Sequence, residues 1–191
     1  NGLLFVLDAA QTAGTVKINV VEEKIDFLCC PGHKGLYGPM GTGILLINSD
    51  ARLKTFCEGG TGSFSAVLTQ PECYPDRFES GTLNVPGIIG LGEGIRFVSA
   101  MGVKRIGTAE AEIVKEIYEA LSELKNINLY TNLYSANESF APILSFNVAE
   151  MHSEQAAALL ANDDIAVRAG FHCAPLAHRT YGTEDCGTVR I

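Results

Sequence analysis

Residues 25–43 read IDFLCCPGHKGLYGPMGTG. An apolar run from Ile25 to Cys30 stops at Pro31-Gly32, and one lysine, Lys34, then lies among five glycines, Gly32, Gly35, Gly38, Gly41 and Gly43. A short continuous apolar run that ends at a breaker reads as a strand buried on both faces. The lysine beyond it is placed by the turn, although a flexible surface turn carrying a solvated lysine fits the same residues. Working outward, Leu3 to Leu7 is a second such run ending at Asp8, and Gly43 to Ile47 a third, ending at Asn48-Ser49-Asp50. Ligands of open α/β sheets gather outside the carboxyl ends of the strands, so Asp8 and the segment from Pro31 onward are candidates for one rim.

From Cys57 to Asn84 the chain is rich in Gly, Ser, Thr and Pro, which predicts a long functional loop crossing the surface or reaching a neighbouring subunit. Val85 to Met101 is an apolar, glycine-spaced helix. After Gly102, residues Ile106, Ala109, Ile113, Ile117, Leu121 and Leu124 recur at helical intervals, with Glu110, Glu112, Lys115, Glu116 and Glu119 on the wet side. Ile127 to Thr131 and Ala141 to Val148 read as strands, Ser153 as the cap of a helix through Ala161, and Ile165 to Arg168 as a further strand. The class is α/β. Residues 1–90 belong to a sheet domain and 91–191 to a smaller α+β domain, the clearest boundary lying between about Gly81 and Met101.

The 191 residues are 47% hydrophobic and 19% charged, the composition of an ordinary globular protein. A net charge of -8 with only 14 Lys and Arg argues against a duplex nucleic acid or an anionic membrane as partner. The apolar stretches fall far short of the roughly 20 residues that span a bilayer. The six cysteines, Cys29, Cys30, Cys57, Cys73, Cys173 and Cys186, have no framework spacing and suit free thiols in a reducing compartment, so a cytoplasmic location is expected. The opening residues lack an initiator methionine and a basic stretch before the apolar run, and read as the interior of a longer protein.

Asp8 and Lys34 form the pair that pyridoxal phosphate chemistry needs, a lysine to condense with the aldehyde and a carboxylate to keep the pyridine nitrogen protonated. Gln11 is placed to hydrogen-bond the ring hydroxyl. Taken alone, Asp8 is equally a turn former or helix cap. Cys173 follows His172 in a turn with Arg168 close by, a setting that favours a thiolate, although a structural thiol is the plainer account of any single cysteine. The spacing of a phosphate loop is absent around Lys34, and the Gly90 to Gly94 cluster suits helix packing better than a dinucleotide fingerprint. Neither Cys29, Cys30 and His33 nor His172, Cys173 and His178 has metal-ligand spacing, so no metal is expected.

Asp8-Ala9-Ala10-Gln11, Gly32-His33-Lys34, Arg77-Phe78-Glu79-Ser80-Gly81-Thr82 and Arg168-Ala169-Gly170-Phe171-His172-Cys173-Ala174, in that order, resemble the class V aminotransferase family and, within it, the cysteine desulfurase and selenocysteine lyase branch. The resemblance implies part of a large, mostly parallel-sheet cofactor domain followed by a small domain. It implies pyridoxal 5'-phosphate held covalently by Lys34, with Asp8 at the ring nitrogen, Gln11 at the ring oxygen and His33 on the phosphate side. Thr82 would reach the cofactor phosphate of the other subunit of a homodimer. Arg190, with Arg168 as a second contact, would clamp the carboxylate of L-cysteine or a related amino acid. Cys173 would take the sulfur as a persulfide, releasing L-alanine and passing sulfur to an acceptor protein. A class V transaminase, another lyase, or an inactive fragment would share Lys34 and Asp8 without using Cys173. The chain departs from the pattern at Pro31, where many desulfurases have a phosphate-binding serine, and it reads as the central and C-terminal portion of such an enzyme.

Overall fold

The computed structural model describes residues 2–131, 133 and 141–191. They form two compact units, Asn1–Gly102 and Val103–Ile191.

The first unit is built on a three-stranded sheet of β1 (Val6–Asp8), β2 (Phe27–Pro31) and β3 (Gly43–Ile47), in the order β1-β2-β3. β1 runs parallel to β2, with Asp8 opposite Cys29, and β3 runs antiparallel, with Gly43 opposite Pro31. Phe27, Leu28 and Cys30 of the central strand are buried, and Ala9, Ile25, Leu28 and Cys30 form a core lined by Leu7, Ala13, Ile18, Val20, Leu36 and Ile44. Burial on both faces therefore holds for β2 alone. β1 is an outer strand of this sheet, shorter than its apolar run, and Leu3 is 83% exposed.

Helix α1 (Val85–Met101) begins where the Asn84 side chain accepts a hydrogen bond from the Gly87 N–H (3.1 Å), with Pro86 in its first turn, and ends at Gly102, which takes a φ of 87°. Residues 49–84 contain neither helix nor strand. This loop is tied by Arg77, whose guanidinium donates to the Leu53 carbonyl (2.9 Å) and pairs with Glu72 (2.5 Å). Gln70 donates to the Asp76 carbonyl (2.9 Å) and accepts from the Gly59 N–H (3.1 Å), and the Gly81 N–H meets the Gly60 carbonyl (2.8 Å).

The second unit contains α2 (Val103–Ser122), β4 (Ile127–Leu129), β5 (Ser145–Val148), α3 (Ser153–Asn162), β6 (Arg168–Gly170), α4 (Pro175–Tyr181) and β7 (Thr188–Arg190). Its sheet has the order β4-β5-β7-β6 with every pair antiparallel. Side chains alternate between faces along each strand. Ile127, Leu129, Phe146, Val148 and Val189 enter a core with Leu121 of α2 and Ala156 and Leu160 of α3. The opposite face therefore receives Asn128, Ser145, Asn147, Arg168, Thr188 and Arg190.

Several boundaries of the second unit differ from the sequence reading: the strand expected over 127–131 ends at Leu129, and the one over 141–148 starts only at Ser145. The side chain that caps α3 is His152, not Ser153; His152 accepts from the Glu154 N–H (3.4 Å), while the Ser153 hydroxyl donates to the Cys186 carbonyl (2.5 Å). The strand expected over 165–168 starts only at Arg168. The end of α3 uses up the intervening residues, with Asp164 at a φ of 60° and the Ile165 N–H bonded to the Leu160 carbonyl (3.0 Å). Among the described residues no helix is long and apolar enough to cross a membrane.

Candidate functional site

Parallel pairing sends β1 and β2 toward the same edge of the first sheet, so Asp8, which ends β1, and Gly32-His33-Lys34, which follow β2, emerge together. One Asp8 carboxylate oxygen accepts the Ala10 N–H (2.9 Å), starting a tight turn over residues 9–16 in which the Ala13 N–H bonds back to the Ala9 carbonyl (2.9 Å). Beyond β2, the Gly38 N–H closes onto the Gly32 carbonyl (2.7 Å) and the Tyr37 N–H onto the Lys34 carbonyl (2.9 Å), leaving His33 and Lys34 at the exposed tip.

The two turns touch backbone to backbone. A Cβ on Gly14, whose φ is 95°, would lie 1.9 Å from the Gly35 carbonyl oxygen, and one on Gly35 would lie 2.4 Å from that of Ala13. Behind the lysine turn, α1 presents Gly94, where a Cβ would come within 2.2 Å of the Leu36 carbonyl oxygen. The lysine turn is thus wedged between the Asp8 turn and α1, and glycine is required at each point of contact. The packing role read for the Gly90 to Gly94 cluster is realised here.

Lys34 and Asp8 are both exposed, and neither makes an ion pair with a described residue. An amine and a carboxylate without ion-pair partners among the described residues on one sheet edge, with the exposed amide of Gln11 and the imidazole of His33 in the same two turns, fit a phosphorylated pyridine aldehyde in the chemistry of the donor set. Beside this pair, burial, then the neighbouring Cys29 and Asp8, push the Cys30 thiol pKa up, which disfavours its thiolate. Thr82 is exposed and adjoins Gly81, whose bond to Gly60 draws the two ends of the long loop side by side.

The second unit assembles another group. On the polar face of its sheet, Arg168 of β6 stands directly opposite Arg190 of β7. No described carboxylate pairs with either. Two guanidiniums in register repel each other and are suited to share an anion. The turn between β6 and α4 carries His172 and Cys173, both left-handed, at φ 51° and 62°. The His172 Nε2–H donates to the Thr188 carbonyl (2.8 Å). Burial lowers its pKa below the usual imidazole value; the Thr188 carbonyl opposes this, while Arg190, His178 and Arg168 reinforce it. The buried His178 anchors the same turn, one ring nitrogen donating to the Phe171 carbonyl (3.1 Å) and the other hydrogen-bonded to the Thr183 hydroxyl (2.7 Å). Cys173 is exposed at the tip.

Of the residues singled out in the sequence, Asp8, Gln11, His33 and Lys34 share one edge of the first unit, and Arg168, Cys173 and Arg190 share one region of the second. His172 and His178 were weighed in the sequence only as metal ligands; their anchoring of the turn was missed, because it depends on carbonyls or hydroxyls supplied elsewhere in the fold. The other thiols divide between Cys29, Cys30 and Cys186, which are at least partly covered, and Cys57 and Cys73, which are exposed but lie outside both groups.

Residues 1–191 match the family described as aminotransferase class-V. The chain is 40% identical to a probable cysteine desulfurase of Pyrococcus abyssi, over 99% of this chain and 47% of the relative. It is 36% identical to the cysteine desulfurase of Salmonella newport, over 95% of this chain and 45% of the relative. Among solved structures, the apo cysteine desulfurase of Thermococcus onnurineus NA1 superposes with a TM-score of 0.81 at 37% identity, over 99% of this chain and 47% of that one. The cysteine desulfurase CsdA of Escherichia coli, in an S-sulfonic acid form, gives 0.82 at 26% identity, over 99% and 46%. The chain spans about half the length of the curated relatives it matches.

Proposed function

Since the chain belongs to the class V aminotransferase family, we propose that it serves a pyridoxal phosphate-dependent cysteine desulfurase that converts L-cysteine to L-alanine. The first unit is assigned to the large cofactor-binding domain and the second to the small domain. Lys34 holds the cofactor aldehyde, Asp8 the ring nitrogen, Gln11 the ring oxygen and His33 the phosphate side. Thr82 serves the phosphate held by the other subunit of a homodimer. The bound cofactor supplies an electron-withdrawing ring that makes the substrate α-proton acidic.

The chain's own residues do the rest. Arg190, with Arg168, holds the substrate carboxylate by paired N–H donors. Lys34 Nζ accepts the α-proton. Cys173 Sγ, as thiolate, forms an S–S bond to the substrate sulfur as the carbon–sulfur bond breaks, so that cysteine and enzyme thiol become alanine and enzyme persulfide. The outer sulfur then passes to an acceptor thiol.

The observation that favours this reading over transamination is the exposed Cys173 on the turn that follows β6, whose Arg168 stands opposite Arg190 with no ion-pair partner for either among the described residues. A transaminase has no use for a thiol there. The complete protein carrying Cys173→Ser is expected to lose sulfide release from L-cysteine while keeping the visible absorbance of lysine-bound cofactor. Undiminished sulfide release from that variant refutes the assignment, and keto acid formation in its place establishes a transaminase.

A further inference from the structure

Arg168 on the edge strand β6 and Arg190 on its neighbour β7 differ from ordinary surface cations in being in register with each other and without a described counter-ion. His172 reports on them. Its Nε2 proton is fixed by the Thr188 carbonyl at 2.8 Å, because a carbonyl can only accept, and this leaves Nδ1 as the nitrogen free to gain a proton. The groups that face the ring electrostatically are Arg190 of β7, Arg168 of β6 and His178 of α4. The two arginines oppose a charge on His172, and they are the two groups that a bound carboxylate would neutralise.

We propose that binding of a carboxylate between Arg168 and Arg190 is coupled to the uptake of one proton from solvent at His172 Nδ1. The inference rests on the reading of the arginine pair as the substrate-carboxylate clamp and adds a proton-linked sensor to it. Coupling of this kind is reciprocal: the anion makes the imidazole more basic, and the protonated imidazole tightens the anion by the same factor. The imidazolium arises one residue from Cys173, where a positive charge favours the thiolate. The charge that favours the nucleophile thereby appears only once substrate has arrived.

The test follows the imidazole resonance of His172 by NMR through a pH titration of the full chain, the resonance being identified by its loss in His172→Gln. L-alanine is the probe, since its carboxylate stays ionised between pH 5 and 8. Saturating alanine is expected to raise the titration midpoint of His172, and the alanine Kd to tighten about fivefold or more from pH 8 to pH 5. In His172→Gln the Kd should be the same at both pH values. Without any ligand, Arg190→Gln should raise the His172 midpoint. Alanine that binds with a pH-independent Kd, or an Arg190→Gln midpoint that stays in place, overturns the coupling and leaves the clamp intact. A failure of alanine to bind at either pH removes the clamp, and the coupling with it.

Discussion

The lysine turn of the first unit and the cysteine turn of the second are held in different ways. Residues 32–38 are fixed by main chain against main chain, through Gly14, Gly35 and Gly94, with no ionisable side chain at the points of contact. Residues 171–174 are fixed by two imidazoles, His172 on the Thr188 carbonyl and His178 on the Phe171 carbonyl and Thr183. The first arrangement is sensitive to volume and indifferent to protons. The second rests on side chains and responds to pH.

The sharpest way to break this contrast is to add one methyl group. Gly14→Ala meets the Gly35 carbonyl at 1.9 Å with φ at 95°, and about 3 kcal/mol of stability should be lost to the combined clash and left-handed backbone. Urea denaturation reads the loss. A drop below 1 kcal/mol would mean that the two turns are not truly wedged. Next comes His178→Ala, which strips a 5% exposed ring and its hydrogen bonds from the second unit and should cost about 2–3 kcal/mol. Alkylation of Cys173 should change in rate alongside, while the exposed Cys57 serves as an unaffected internal reference.

Gly94→Ala is a finer probe. Its clash with the Leu36 carbonyl, 2.2 Å from the added carbon, is partly offset by alanine's better helix propensity, for a net loss of about 1 kcal/mol. Borohydride labelling of Lys34 in the presence of pyridoxal phosphate should weaken in that variant, because the turn behind the lysine has moved.

The smallest effect is the pH dependence. The folded state lowers the His172 pKa, chiefly by burial and then through Arg190, His178 and Arg168, against the pull of the Thr188 carbonyl. The unfolded chain then binds the extra proton first. The stability His172 contributes is complete above about pH 6.5 and is lost as pH falls from there through the folded-state value. His172→Gln should flatten that part of the denaturation profile between pH 7.5 and 5, and an unchanged slope would assign it to another group.

Much of this was legible in the residue order, for local reasons. α1 begins and ends where Asn84, Pro86 and Gly102 place it, and the apolar run before Pro31 became the central strand. The rim shared by Asp8 and Lys34 followed from parallel strands ending at the same edge. β1 fell short of its apolar run because a strand extends only as far as its neighbour pairs with it, and Leu3 to Phe5 lie beyond the β1–β2 register. α4 and β7 were missed because seven and three residues carry too little periodicity to detect. The resemblance named Arg168 and Arg190 together, but their direct opposition was invisible, since it depends on a β6–β7 register that no stretch of sequence near either residue encodes.

His172 and Cys173 are neighbouring left-handed residues that are not glycine. At position 173, whose side chain is exposed, a glycine would adopt the same backbone without a Cβ penalty, so a search for thermostable variants would drift toward glycine there. That gain would discard the thiol. The turn marks a place where engineering for robustness and engineering for turnover pull in opposite directions.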